Sequence, residues 1–140
     1  WTKEIMDIEQ EHVECINYQY VNELPSNGSL ELVTNSKDLY IEGRLMSHCV
    51  YTNYASQVKD KSYFVFKFTD RDVRATVGIT KYYDHNGFVI NQMHGKHNKS
   101  IDQCHQDYVK EWLDKPDVQQ WFTENYKTNQ LASPPEMLWL

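Results

Sequence analysis

The sequence predicts an α+β fold: an antiparallel meander of three to four strands packed with N-terminal, central and C-terminal helices. Apolar residues step by three and four in the first and last thirds of the chain. Between them, over residues 63–93, they alternate in twos between turn residues. With 4 Trp, 10 Tyr and 5 Phe among 140 residues, the chain has enough large rings for one core, and a single domain over 1–140 is expected.

The elements follow in order. Residues 2–23 are expected to be helical, with Ile5, Ile8, His12, Cys15, Ile16 and Tyr20 on one face and Thr2 as cap. Pro25, Ser26, Asn27 and Gly28 stop it. Leu30 to Thr34 reads as a short strand. Asn35 and Ser36 offer a cap to a helix over 37–46, carrying Leu39, Tyr40, Leu45 and Met46. Gly43 weakens that helix by about 1 kcal/mol relative to Ala. Val50, Tyr54 and Val58 place a short helix over 49–59. Tyr63 to Phe68 is aromatic and β-branched, as strands are. Asp70, Arg71 and Asp72 turn the chain into a strand over Val73 to Tyr82. Asn86-Gly87 is a hairpin signature leading to a strand over Phe88 to Met93. Ile101, Cys104, His105, Tyr108, Val109, Trp112 and Leu113 restore the helical period, with Ser100 as expected cap and Gln103 as its capping-box partner. Pro116 breaks that helix, and a last one over 117–127 carries Val118, Trp121, Phe122 and Tyr126. Residues 131–140, with two prolines and then apolar side chains, are expected to form a tail.

Lys plus Arg number 14 against 20 Asp plus Glu, a net charge of −6, which disfavours general nucleic-acid binding. Lys59, Lys61, Lys67, Arg71 and Arg74 cluster in sequence and read as solvated side chains on strand edges and turns. No apolar run approaches the ~18–20 residues of a membrane span. Cys15, Cys49 and Cys104 make neither a disulfide framework nor a CxxC zinc module, so a cytoplasmic, reducing compartment is expected. The five glycines form no phosphate-binding loop.

Reactive residues gather at two junctions between elements, where functional groups are commonly mounted. One is Ser47-His48-Cys49 with Tyr51 and Tyr54. The other runs from Gln92 through His94, Lys96 and His97 to Asn98. A histidine between two helices suits general acid–base work near neutral pH. Cys49 points elsewhere on a helix and reads as a small core residue. His94, His97, Cys104 and His105 would suffice for zinc on paper, but their spacing is that of no standard site, and no metal is assigned. No cofactor is named by the sequence.

The stretch from Glu42 to Asn98 resembles the PcfJ-like domain of conjugative plasmids and phages. The resemblance rests on Glu42-Gly43, Leu45-Met46, His48-Cys49-Val50 and Tyr54, then Thr76-Val77-Gly78-Ile79, then Gln92, Gly95 and Asn98. It implies a mobile-element accessory domain, often the end of a longer chain, and a start at Trp1 fits an excised part. It singles out His48, Tyr54, Thr76, Gln92 and Asn98. If the helices over 37–46 and 49–59 cover one end of the meander, these five converge on a polar cleft for a nucleotide-like ligand. His48, Tyr54, Gln92 and Asn98 would then be the catalytic set, and Thr76, Tyr51 and Lys96 would bind ligand. Many family members have Glu where this chain has Gly78, which leans toward binding without turnover. The alternative is a non-catalytic module that sequesters a ligand or binds a host or element-encoded protein. The plainest reading is a hydrogen-bonded knot between helix and sheet.

Overall fold

A computed structural model describes residues 13–82 and 84–127. Its centre is a four-stranded antiparallel sheet in the order β1-β2-β3-β4, with β1 Leu30–Leu32, β2 Tyr63–Asp70, β3 Val73–Lys81 and β4 Phe88–His94. Two helices, α1 Ser36–Met46 and α2 Val50–Lys59, connect β1 to β2. Two more, α3 Gln103–Leu113 and α4 Pro116–Asn125, follow β4. The fold class is therefore the expected α+β.

Alternation along the strands sends side chains to opposite faces. Phe64, Phe66 and Phe68 join Ala75, Val77, Ile79, Phe88 and Met93 in a core completed by Trp112, Leu113, Trp121 and Phe122 of α3 and α4. Tyr63 and Val65 leave β2 on the other face and pack with Val33, Leu39, Val50 and Val58. That second core is smaller, and beside it the sheet face turns polar.

One irregularity sets which β4 residues face which way. Gly78 pairs with Gln92, but Ile79 pairs with Ile90, so Asn91 is an extra residue, a β-bulge. Phe88 and Ile90 pack on the α3–α4 side, and unbroken alternation would send Gln92 there too. The bulge shifts the phase: Met93 enters that core and Gln92 turns to the opposite face.

Local signals explain most boundaries. Asn35 caps α1, its Oδ1 accepting from Asp38 N–H at 2.8 Å. Pro116 stands at the start of α4. The cap of α3 is Asp102 rather than the expected Ser100; its side chain accepts from His105 N–H. The expected N-terminal helix is corrected over its described part. Residues 13–23 are irregular rather than helical, with an isolated bridge between Asn17 and Asn35 and a bend at Asn22, φ 65°. Ile16, Tyr18 and Tyr20 turn inward while Asn17, Gln19 and Val21 stay exposed. Asn125 takes both polar groups of the Val21 backbone, and Trp121 Nε1–H donates to Asn22 C=O at 2.9 Å. Long-range partners thus outweigh a helical pattern that fits these residues no better than period two. Thr2, Ile5, Ile8 and His12, like the tail over 131–140, lie outside the described residues.

Candidate functional site: a polar cleft over the sheet

α1 carries Leu39, Glu42, Gly43 and Met46 on its buried face, a helical spacing that brings a carboxylate into an apolar stripe. Glu42 is only 1% exposed. It is neutralised by Arg74 of β3, whose Nη1–H and Nη2–H donate to Oε2 and Oε1 at 2.9 and 2.5 Å, a bidentate pair. Arg74 Nη1 also donates to Ala75 C=O. Two residues on and on the same sheet face, the Thr76 hydroxyl donates to Glu42 Oε2.

That donation settles the state of His48. α1 ends at Ser47 in the left-handed conformation, φ 54°, which reverses the chain and delivers the next residue to the sheet. His48 Nε2 lies 2.9 Å from Thr76 Oγ1. The hydroxyl has given its only proton to Glu42, so Nε2 carries the proton and Thr76 accepts it. Nδ1 then accepts from Val50 N–H at 3.3 Å. Burial pushes the His48 pKa down from 6.5, an effect opposed by Glu42 and reinforced by His94 and Arg74. The ring is therefore neutral at pH 7, oriented through Thr76 by buried Glu42 and its partly exposed partner Arg74.

Beside this chain lies a cleft of about 250 Å³. His48, Cys49, Val50, Asn53 and Tyr54 form its helical wall, and Thr76, Gln92, His94 and Asn98 its sheet side and end. The wall begins at the N-terminus of α2, where Cys49 caps without a side-chain hydrogen bond. Tyr54 stacks on Tyr63, centroids 4.1 Å apart and planes 12° apart. The Tyr63 hydroxyl donates to Asn91 Oδ1 at 2.7 Å and accepts from Gln92 Nε2–H at 3.0 Å. Gly78 makes room for this phenol: a Cβ there would stand 2.0 Å from the Tyr63 oxygen. His94 sits opposite Thr76 in the β3–β4 register, and its Nδ1 is buried with no hydrogen-bond partner among the described residues. Asn98 reaches the rim from a turn over Lys96–Asn98, in which His97 and Asn98 have φ of 61° and 60°.

Five of the seven residues expected at the site thus line one cleft: His48, Tyr54, Thr76, Gln92 and Asn98. Two do not. Tyr51 borders a second groove with Tyr40, Gly43 and Arg44 that meets the cleft at His48, its ring edge-on to Tyr40 at 5.2 Å. Lys96 is exposed on the turn and does not line the cleft. Cys49, expected in the core, is exposed. His105 does not join His94 and His97. Its Nδ1 is 2.5 Å from Asp102 and its Nε2 2.9 Å from Asp70, and these two carboxylates push its pKa up. Among the described residues, no cluster of His, Cys, Asp and Glu could hold a metal ion. Arg74, grouped by sequence with solvated lysines, is instead committed to Glu42. Asn53 in the cleft and the Glu42–Arg74 pair behind it were not expected from the sequence. A carboxylate in phase with Leu39 and Met46 was the available signal for the pair. Among the described residues, no helix is long and apolar enough to cross a membrane.

A family model described as PcfJ-like protein matches residues 7–109, which contain α1, α2, the whole sheet and every residue of the cleft. No curated protein and no solved structure matches the chain significantly.

Proposed function

The chain belongs to the PcfJ-like protein family, and on that premise we propose that its cleft holds a small nucleotide-like ligand, as part of a mobile-element accessory protein. The observation that carries this reading is the commitment of both His48 nitrogens within the protein, to Thr76 and to Val50 N–H. Most of the other groups facing the cleft are binding groups. Carboxamides of Asn53, Gln92 and Asn98 suit a base or sugar. The N-terminus of α2 favours the negative charge of a phosphate. The Tyr54 ring offers an aromatic wall. A volume of about 250 Å³ suits a mononucleotide better than a dinucleotide.

A second reading, catalysis, is favoured by one specific contact. The Val50 N–H to Nδ1 bond is long at 3.3 Å, so Nδ1 can exchange it for a substrate proton. The imidazolium formed would be stabilised through Thr76 by Glu42, leaving His48 as base and Tyr54, Gln92 and Asn98 as orienting groups.

Calorimetric titration with AMP, CMP, GMP, UMP and inorganic phosphate tests the reading, with product analysis by ³¹P NMR. One mononucleotide is expected to bind at a 1:1 ratio, and Asn53→Ala to weaken it about tenfold, the effect of one lost hydrogen bond. Binding without product supports the binding module; product that disappears in a folded His48→Ala variant supports catalysis. No heat with any of the nucleotides overturns both and turns attention to a host or element-encoded protein partner.

A further inference from the structure

We infer that Tyr63 and Asn91 are positioning residues that hold the Gln92 carboxamide with Oε1 free, so that the cleft selects a ligand whose heterocycle offers an N–H donor. The inference rests on the reading of the cleft as a nucleotide-like site and names what that site distinguishes.

Four side chains form one directional chain. Gln92 Nε2–H donates to the Tyr63 oxygen, the Tyr63 O–H donates to Asn91 Oδ1, and Asn91 Nδ2–H donates to the Tyr82 oxygen. Turning Gln92 alone would set Oε1 against a phenol oxygen whose single proton is already given away. Reversal therefore requires both amides and the phenol proton to turn together. Burial pushes the Tyr63 pKa up, which keeps the phenol a donor. Among the described residues, Oε1 of Gln92 has no hydrogen-bond partner, and Gln92 lines the cleft.

Two features of the backbone make this chain possible. The bulge brings Asn91 and Gln92, adjacent residues that an ideal strand would point to opposite faces, to the same phenol. Gly78, cross-strand from Gln92, leaves the space that the Tyr63 hydroxyl fills. An acceptor held in place and unpaired in the protein strongly disfavours a ligand that meets it with another acceptor.

The test uses purine riboside 5′-monophosphate, whose base carries no N–H, beside AMP, CMP, GMP and UMP, all of which carry one. Wild-type protein is expected to bind the best of the four at least about tenfold tighter than purine riboside 5′-monophosphate. Tyr63→Phe keeps the ring and its stacking on Tyr54 but frees the amide to turn, so the ratio should fall toward one. Asn91→Ala, which removes the acceptor for the phenol proton, should do the same and serves if Tyr63→Phe fails to fold. A merely structural role would lower the melting temperature and leave the ratio unchanged. Wild-type protein that binds all five equally, or a ratio that survives in both variants, overturns the inference while the cleft remains a nucleotide site. Wild-type protein that binds none of the five overturns the cleft reading as well.

Discussion

Phe64, Phe66 and Phe68 leave β2 on one side of the sheet; Tyr63 and Val65 leave it on the other. The first side is a bed of rings. Phe122 contacts Phe64, Phe66, Phe88, Trp112 and Trp121 at centroid distances of 5.0 to 6.2 Å. The second side, past its small apolar core, is a chain of directional bonds from Arg74 through Glu42 and Thr76 to His48. The difference is in how each side tolerates change. Dispersion and burial are non-directional and shared among many neighbours, so no single ring is indispensable to the others. The polar chain is directional and buried, so each link depends on the next.

The largest expected break is Arg74→Met. It leaves Glu42 buried without its cation and should cost about 3–5 kcal/mol in urea unfolding. Adding Glu42→Met should return most of that loss. A single-variant cost below about 1 kcal/mol would mean the chain is not the cooperative unit described.

Gly78→Ala comes next. The added methyl meets the Tyr63 oxygen at 2.0 Å, and overpacking of this kind costs about 1–3 kcal/mol. The same variant should disturb the Tyr63 hydrogen bonds, visible as a shift of the Gln92 side-chain amide signals in NMR. Unchanged signals would contradict the close approach.

A smaller effect is expected on the aromatic side. Met93→Leu conserves volume in the core of rings and should cost less than about 1.5 kcal/mol in urea unfolding. A larger loss would erase the contrast between the faces.

The finest distinction is electrostatic, because each side holds a histidine and the two shift in opposite directions. His48 lies in the polar chain, lowered below 6.5 by burial. His105 packs on Phe68 at 5.6 Å and is raised by Asp102 and Asp70. Below 6.5 the unfolded chain binds a proton that folded His48 resists. Its contribution is therefore whole above 6.5 and is lost as pH falls through its lowered value. His105 behaves inversely: its contribution is whole below 6.5 and is lost as pH rises through its raised value. Histidine ring signals followed by NMR should titrate below 6.5 for one and above it for the other. Coincident midpoints would show that the two environments do not differ as described.

Much of this was legible in the chain. Alternation at Val73, Ala75, Val77 and Ile79 gave β3 and put Thr76 and Gly78 together on the opposite face. Asn35 and Pro116 marked boundaries because caps depend on residues a few positions apart, whereas Asn86-Gly87 precedes β4 without the positive φ of an Asn-Gly hairpin turn. Five cleft residues were legible through the family resemblance, and their gathering followed from placing two helices over one end of the meander. Tyr51 and Lys96 lie off the cleft, because proximity in sequence to His48 and Asn98 says nothing of direction.

Residues 13–23 show where local pattern stops deciding. Ile16 and Tyr20 fit a helical step, and Ile16, Tyr18 and Tyr20 fit a strand step equally well. Thr34, Ser36 and Asn125, further along the chain, decide between them by bonding the backbone. The sequence alone determined the strands and helices beyond residue 30, the Asn35 cap and which residues of β3 share a face, because these rest on interactions within one or two turns. The tertiary structure decided the phase of β4 through the Asn91 bulge, the pairing of Glu42 with Arg74, and the proton position on His48. Each of these depends on a partner about 30 residues away or on a neighbouring strand, and a local pattern holds no information about a partner at that distance.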